Sequence, residues 1–119
     1  MNAEEFREYC IAKKGVTEEL PFGPKTLVYK VIGKIFALTP LESDTFKVSL
    51  KCEPAKAIEL RDEFAYIIGA FHLSKTHWNS IDGKLCSSQK LRGLTSHSYN
   101  LMVWGLLKKL KIGLDNLPN

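Results

Sequence analysis

Residues 26–39 read TLVYKVIGKIFALT, and this stretch decides the fold. It is rich in β-branched and aromatic residues, and the pair Gly33-Lys34 interrupts it near the middle. Two runs of this composition around a glycine are typical of a β-hairpin, in which the glycine adopts a positive φ at the turn. The stretch therefore predicts two antiparallel strands joined at Gly33.

A third strand is predicted at FKVSLK, residues 46–51, after a turn over residues 40–44. Its apolar and polar residues alternate strictly, which indicates one buried face and one wet, cationic face. The buried face is predicted to hold Phe46, Val48 and Leu50. The wet face is predicted to hold Lys47, Ser49 and Lys51.

Helices and two shorter strands account for the other patterned segments. The first helix is predicted to begin at Asn2, which forms a capping pattern with Glu5, and to end near Gly15. The second helix is predicted to begin at Pro54, and the third to cover residues 87–111. Short strands are predicted at AFHL (70–73) and HWNSI (77–81), on either side of the link at residues 74–76. Together these elements predict an α+β fold, an antiparallel sheet of about five strands with helices at the N-terminus, in the middle and at the C-terminus.

Length and composition predict a single soluble domain over residues 1–119, with 45% hydrophobic and 25% charged residues. The sequence contains no run of eighteen apolar residues, so we expect no membrane partner. The start, MNAEEFREYC, is acidic and does not resemble a signal peptide, and the three cysteines are scattered as reduced thiols would be. These features favour a cytoplasmic protein.

The net charge of +4 is unevenly distributed, with −2 over residues 1–20 and +6 over the remainder. The sheet lysines are Lys30, Lys34, Lys47 and Lys51. They suit a stripe that contacts phosphates, because such contacts need only cations in rough register. They equally suit a solvated face that protects edge strands from pairing with other chains.

Residues 72–81, HLSKTHWNSI, concentrate most of the side chains that could carry chemistry. His72 and His77 would need a third metal ligand, such as Asp82 or Cys86, and the spacing does not require these residues to converge. We therefore predict no metal and no cofactor.

A nucleophilic pair made from Cys52 or Cys86 with one of the histidines has no local motif to support it. We therefore predict no catalytic residue and a non-enzymatic protein. Trp78 is predicted to be the structural anchor of the hairpin, with its neighbours Lys75, His77 and Asn79 on the wetter face. In the alternative interpretation, Trp78 is exposed and its ring stacks on a base or a sugar.

The order of several segments resembles the MmcQ/YjbR-like family. The segments are PFG, VYKVIGKIFAL, VSLKCEP, HLSKTHWNSI and SYNLMV, and the most specific group is Lys75, His77, Trp78 and Asn79. The resemblance covers nearly the whole chain and implies a frataxin-like (CyaY-like) fold. It also implies DNA binding through two hairpin "wings", here at Gly33-Lys34 and at residues 74–79, without enzymatic activity.

Residues and resemblance together predict a small monomeric protein that binds double-stranded DNA weakly. The predicted contact residues are Lys34, Lys47, Lys51, Lys75, His77 and Asn79. One alternative is a protein–protein adaptor that uses the sheet face or the C-terminal stretch KIGLDNLPN, residues 111–119. Another is a ligand-binding domain, without catalytic activity, that has a pocket near Trp78.

Overall fold

The computed structural model describes residues 1–41, 45–70, 73–106, 112 and 115–118. These residues form three helices and one antiparallel sheet of six strands, which confirms the predicted α+β class. The helices are α1 (Ala3–Ile11), α2 (Pro54–Glu63) and α3 (Ser88–Trp104). The strands are β1 (Val16–Glu19), β2 (Thr26–Val31), β3 (Lys34–Pro40), β4 (Lys47–Lys51), β5 (Ile67–Gly69) and β6 (Trp78–Asp82).

The sheet order is β1-β2-β3-β4-β6-β5, and every neighbouring pair is antiparallel. The hairpin of β2 and β3 turns at Ile32 and Gly33, whose φ angles are 45° and 77°. Two successive positive φ angles are the signature of a two-residue hairpin turn that matches the twist of the strands. The prediction of a positive φ at Gly33 is therefore confirmed.

A β-bulge in β3 connects the sheet to α3. Tyr29 pairs with Ala37 while Lys30 pairs with Ile35, so Phe36 has no opposite residue in β2. The Ser98 hydroxyl donates to the Phe36 carbonyl at 2.6 Å and accepts from the Lys51 backbone N–H at 3.0 Å. One buried hydroxyl thus joins α3 to both β3 and β4.

The helices cover one face of the sheet and leave the other open. α3 packs on β3 and β4, while α2 packs on β5 and β6. Between them lies a core that includes Phe6, Tyr29, Phe36, Val48, Leu50, Ile67, Ile81 and Leu91. Because side chains alternate along a strand, the intervening residues of the same strands point away from the helices. We call this side the open face; it carries Leu38, Lys47, Ser49, Lys51, Trp78 and Ser80.

The alternation and the helix starts follow the sequence closely. Phe46, Val48 and Leu50 are buried as predicted. Asn2 and Glu5 form the expected capping box, Pro54 opens α2, and Ser87 caps α3.

Four details of the elements differ from prediction. β1 was not predicted, and α1 ends at Ile11, before Gly15. α3 ends at Trp104 with Gly105 as its C-cap, and the lysine-rich remainder of the predicted helix, residues 107–111, lies outside the described residues. The strand predicted at 70–73 is placed earlier in the chain, at Ile67–Gly69, and residues 71 and 72 are also outside the described part.

Candidate nucleic-acid interface

The two hairpin connections lie at the same end of the sheet. β2 runs toward the turn at Ile32-Gly33, and β4, antiparallel to β3, runs toward that same end. β6 is antiparallel to β4 and begins at this end with Trp78, and β5 ends there with Gly69, so the described residues of the connection between them, 70 and 73–77, also lie at this end. We call this end of the strands the wing end. The opposite end of the strands, where β2 and β4 begin, is the far end.

The exposed residues of the two connections are basic or polar. Lys34 follows the β2–β3 turn and is exposed; it pairs with Val31, so it lies on the helix side of the hairpin. Lys75 and His77 are exposed in the β5–β6 connection. The described residues of these two connections, 32–34, 70 and 73–77, include no acidic residue.

The β5–β6 connection is held in place by close contacts on both sides. The Lys75 carbonyl accepts from Arg61 Nη1 of α2 at 2.7 Å, and the His77 carbonyl accepts from the Cys52 N–H at 2.8 Å. A Cβ atom at Gly69 would lie 2.9 Å from Cγ and Cδ of Lys75, so the absence of a side chain there lets the lysine stem cross β5. These contacts position Lys75 relative to the sheet.

The two predicted lysines of β4 lie at opposite ends of the sheet. Lys51 pairs with Trp78 at the wing end, and Lys47 pairs with Asp82 at the far end. Both face the open side, as the alternation predicted, but only Lys51 is near the wings. Lys30 lies beside Glu19, with Nζ and Oε1 3.2 Å apart. The sheet lysines thus do not form one continuous stripe.

Asn79 was predicted on the wetter face, and that prediction is wrong. Its side chain is 2% exposed. It donates to the Ala57 carbonyl at 3.2 Å and accepts from Arg61 Nη1 at 2.8 Å. Because both ends of the amide are engaged inside the protein, Asn79 joins α2 to β6 and does not present itself to a base edge.

Trp78 is also placed differently from its prediction as the anchor of the hairpin. It is only partly buried, lies on the open face beside Lys51, and is not a member of the buried core cluster. Its backbone closes the connection, because its N–H donates to the Ser74 carbonyl at 2.9 Å and its carbonyl accepts from the Ala70 N–H at 3.1 Å. The buried positions of β6 are held by Asn79 and Ile81, and Trp78 lies in the alternate set.

A cluster of side chains that was not predicted from the sequence lies at the start of α2. Ligand atoms of Cys52, Glu53 and His97 all lie within 4.8 Å of one another, which makes them a possible metal-ligand set among the described residues. His97 Nε2 hydrogen-bonds Glu53 Oε1, and this bond lowers the pKa of the Glu53 carboxyl. Burial raises the pKa of the Cys52 thiol, so the sulfur is not activated as a nucleophile. His72, a member of the metal pair considered from the sequence, is outside the described residues.

A groove formed by described residues lies on the open face, and Trp78 is not among its lining residues. It has a volume of about 580 Å³, and its lining includes Phe22, Leu38, Lys47, Ser49, Ile68 and Ser80. Of the stretch proposed as an adaptor surface, residues 112 and 115–118 are described, and the remainder is not. None of the described helices has both the length and the apolar character needed to cross a membrane.

The comparisons with known proteins agree with the resemblance in the sequence. A model of the YjbR family matches residues 11–101. The chain is 37% identical over 90 residues to the uncharacterized protein YbdF of Escherichia coli O157:H7, which covers 75% of this chain and 74% of that protein. It is 33% identical over 91 residues to the uncharacterized protein YjbR of Escherichia coli strain K12, with coverage of 75% and 77%.

Solved structures show the same architecture. The fold is similar to a crystal structure of a Deinococcus radiodurans protein with a DUF419 domain, with a TM-score of 0.88, 31% identity, and coverage of 98% of this chain and 89% of that one. A Pseudomonas syringae protein shares the fold with a TM-score of 0.74 at 22% identity, over 85% of this chain and 98% of that one. The family model covers well over half of the sequence, and the chain belongs to the YjbR family.

Proposed function

We propose that this chain is a non-enzymatic protein that binds double-stranded DNA weakly through its two hairpin wings. The observation that carries the proposal is the placement of both connections at one end of the sheet, with exposed Lys34 on one and exposed Lys75 and His77 on the other. Lysine at a hairpin tip suits phosphate contact, which requires cations in approximate register and little else.

The spacing of the wings suits a duplex. The axes of the two hairpins are three strand spacings apart in the order β2-β3-β4-β6-β5, which corresponds to about 14 Å at roughly 4.8 Å per strand. The major groove of B-form DNA is about 12 Å wide. Wings at this separation can therefore contact the phosphates on either side of one groove.

The binding is expected to depend little on base sequence. Asn79 is committed to α2, so His77 is the one predicted base-reading side chain that remains exposed. Phosphate contacts alone give dissociation constants of about 10⁻⁴ to 10⁻⁶ M near physiological salt. Lys51 adds a cation at the same end of the sheet, whereas Lys47 lies at the far end.

A cytoplasmic location and a monomeric state are part of this proposal. Support for the location comes from Cys10, Cys52 and Cys86, which are all free and buried, as is usual in a reducing compartment.

Fluorescence anisotropy with a labelled random duplex at low salt tests the proposal. We expect the double variant Lys34→Ala/Lys75→Ala to bind at least tenfold more weakly than the parent, because two phosphate contacts are lost. The matched control is Lys25→Ala/Lys84→Ala, which removes the same charge from the far end of the sheet. No binding by the parent, or an equal loss in both double variants, would contradict the wings as the binding element.

A further inference from the structure

The groove on the open face has no part in the proposed DNA contact. Its volume of about 580 Å³ falls within the range of roughly 300–1,000 Å³ that is usual for small-molecule sites. Its floor is one cross-strand row, in which Leu38 pairs with Ser49, Ser49 with Ser80, and Ser80 with Ile68. The row crosses the middle of the sheet, away from the wing end.

Apolar side chains form the sides of the groove and are only partly covered. Phe22, from the connection between β1 and β2, is 64% exposed, and Ile68 is 56% exposed. Leu73 and Pro40 complete the apolar lining. Large apolar side chains around a concave floor supply surface that a ligand of the same character can cover with a gain in free energy.

The polar groups of the lining point to an anion. Lys47 contributes a cation, and Thr26, Ser49 and Ser80 contribute hydroxyl groups that can donate. Asp82 is the cross-strand neighbour of Lys47, but its Oδ1 accepts from the Lys84 N–H at 3.0 Å in its own turn, and Asp82 is not among the lining residues. Among the described lining residues, Lys47 is the one charged side chain, and its charge is positive.

We propose that this groove binds a small amphipathic organic anion. Its apolar body packs over Leu38 and Ile68, and its anionic group lies against the ammonium of Lys47 with the hydroxyls of Ser49 and Ser80 as further donors. A few polar groups on an otherwise apolar surface are the usual composition of a site that orients such a molecule. Leu73 is the one described lining residue from the β5–β6 connection, and neither Lys34 nor Lys75 lines the groove, so either binding activity can exist without the other.

Two probes of matched length separate the anionic contact from the apolar one. Decanoate and decanol are added, below the concentration at which they aggregate, to protein labelled with nitrogen-15, and backbone amide shifts are followed by nuclear magnetic resonance. We expect decanoate to shift the amides of Ser49, Ser80 and Ile68 first and to bind about tenfold more tightly than decanol, because only decanoate gains a charge-assisted contact.

Single substitutions assign each contact. Lys47→Ala is expected to reduce decanoate affinity to that of decanol, whereas Lys84→Ala, outside the lining, leaves both affinities unchanged. Ile68→Ser is expected to weaken both probes, whereas Ile58→Ser, which changes a similarly exposed isoleucine (52%) on α2, weakens neither. The wing variant Lys34→Ala/Lys75→Ala is expected to bind decanoate as the parent does.

Three results would overturn the proposal. The first is the absence of decanoate-induced shifts at the groove amides. The second is an equal effect of Lys47→Ala on decanoate and decanol. The third is a shift of the same amides with protein concentration alone, because that result would assign the open face to a second copy of the chain.

Discussion

Asn79 is the residue that ties the β5–β6 wing to α2. Its amide donates to the Ala57 carbonyl and accepts from Arg61, whose guanidinium also holds the Lys75 carbonyl. Replacing it by alanine removes the side-chain donor to the Ala57 carbonyl and one acceptor from the Arg61 guanidinium, which is a charged group. We expect Asn79→Ala to lower the free energy of unfolding by about 1–3 kcal/mol, measured by urea denaturation. His77→Ala, an exposed change in the same wing, is expected to stay within about 0.5 kcal/mol of the parent. Equal stability of the two variants would contradict the role given to Asn79.

Glu53 and His97 predict a pH dependence with a defined sign. The hydrogen bond from His97 lowers the pKa of the Glu53 carboxyl below its usual value. A carboxyl whose pKa is lower in the folded state contributes stability above its unfolded pKa and loses that contribution as the pH falls through the folded pKa. We therefore expect the parent to lose more stability than His97→Gln when the pH is lowered from neutral to below the usual pKa of a glutamate side chain. Both side chains contact solvent, so the difference is expected to be small. Parallel acid denaturation curves for the two proteins would contradict this prediction.

The placement of Trp78 and Asn79 shows why single residues were harder to predict than elements. In HWNSI, each of the two alternating sets contains one large apolar residue, Trp78 in one and Ile81 in the other. A change of one position in register moves every side chain to the opposite face. The hydrophobicity of Trp78 therefore favoured burial of the set that contains Trp78, whereas the set that contains Ile81 is the buried one. The buried amide is explained by Arg61 and Ala57, which come from a different element. The contact between Glu53 and His97 was equally unpredictable from local sequence, because the two residues are 44 positions apart and meet only when α3 packs near the start of α2.

The turn between β2 and β3 gives a prediction that compares two glycines. Gly33 has a φ of 77°, and a Cβ there would meet no atom within 4 Å, so alanine is opposed only by the backbone conformation. We expect Gly33→Ala to destabilise the protein by about 1–2 kcal/mol. Gly93 is exposed within α3 and also has open space around it. There the same substitution is expected to stabilise by about 0.5–1 kcal/mol, because alanine loses less backbone entropy in a helix. Chemical denaturation of both variants measures the pair, and a shift of the same sign in both would contradict the turn geometry.

Most elements were predictable because their sequences carry strong local signals. The alternation in residues 46–51, the glycine of the hairpin and the caps at Asn2 and Ser87 each depend on neighbouring residues only. β1 carries no such signal, since two of the four residues in VTEE are glutamates, which are uncommon in strands. Its strand conformation comes from pairing with β2, from Val16 opposite Val31 to Glu19 opposite Val28. A strand that depends on its partner in this way cannot be recognised from its own four residues.

At the scale of the whole molecule, strand order determines which side chains can act together. The lysines that looked alike in sequence are separated by the sheet: Lys34, Lys51 and Lys75 lie at the wing end, Lys47 lies at the far end, and Lys30 is beside Glu19. Both connections lie at the wing end because β6 is inserted between β4 and β5 in the sheet. No local sequence pattern predicts this strand order. The resemblance predicted these two connections as wings, and the strand order explains why both lie at the same end of the sheet.

The salt dependence of DNA binding tests the central claim most directly. Each phosphate contact contributes about 0.9 to the slope of log affinity against log salt on B-form DNA. If Lys34 and Lys75 each contact a phosphate, the slope for Lys34→Ala/Lys75→Ala is expected to be shallower than that of the parent by about 1.8, and the slope for Lys25→Ala/Lys84→Ala is expected to equal that of the parent. An unchanged slope in the wing variant, or the same change in both variants, would contradict the claim that the wing end is the DNA-binding surface.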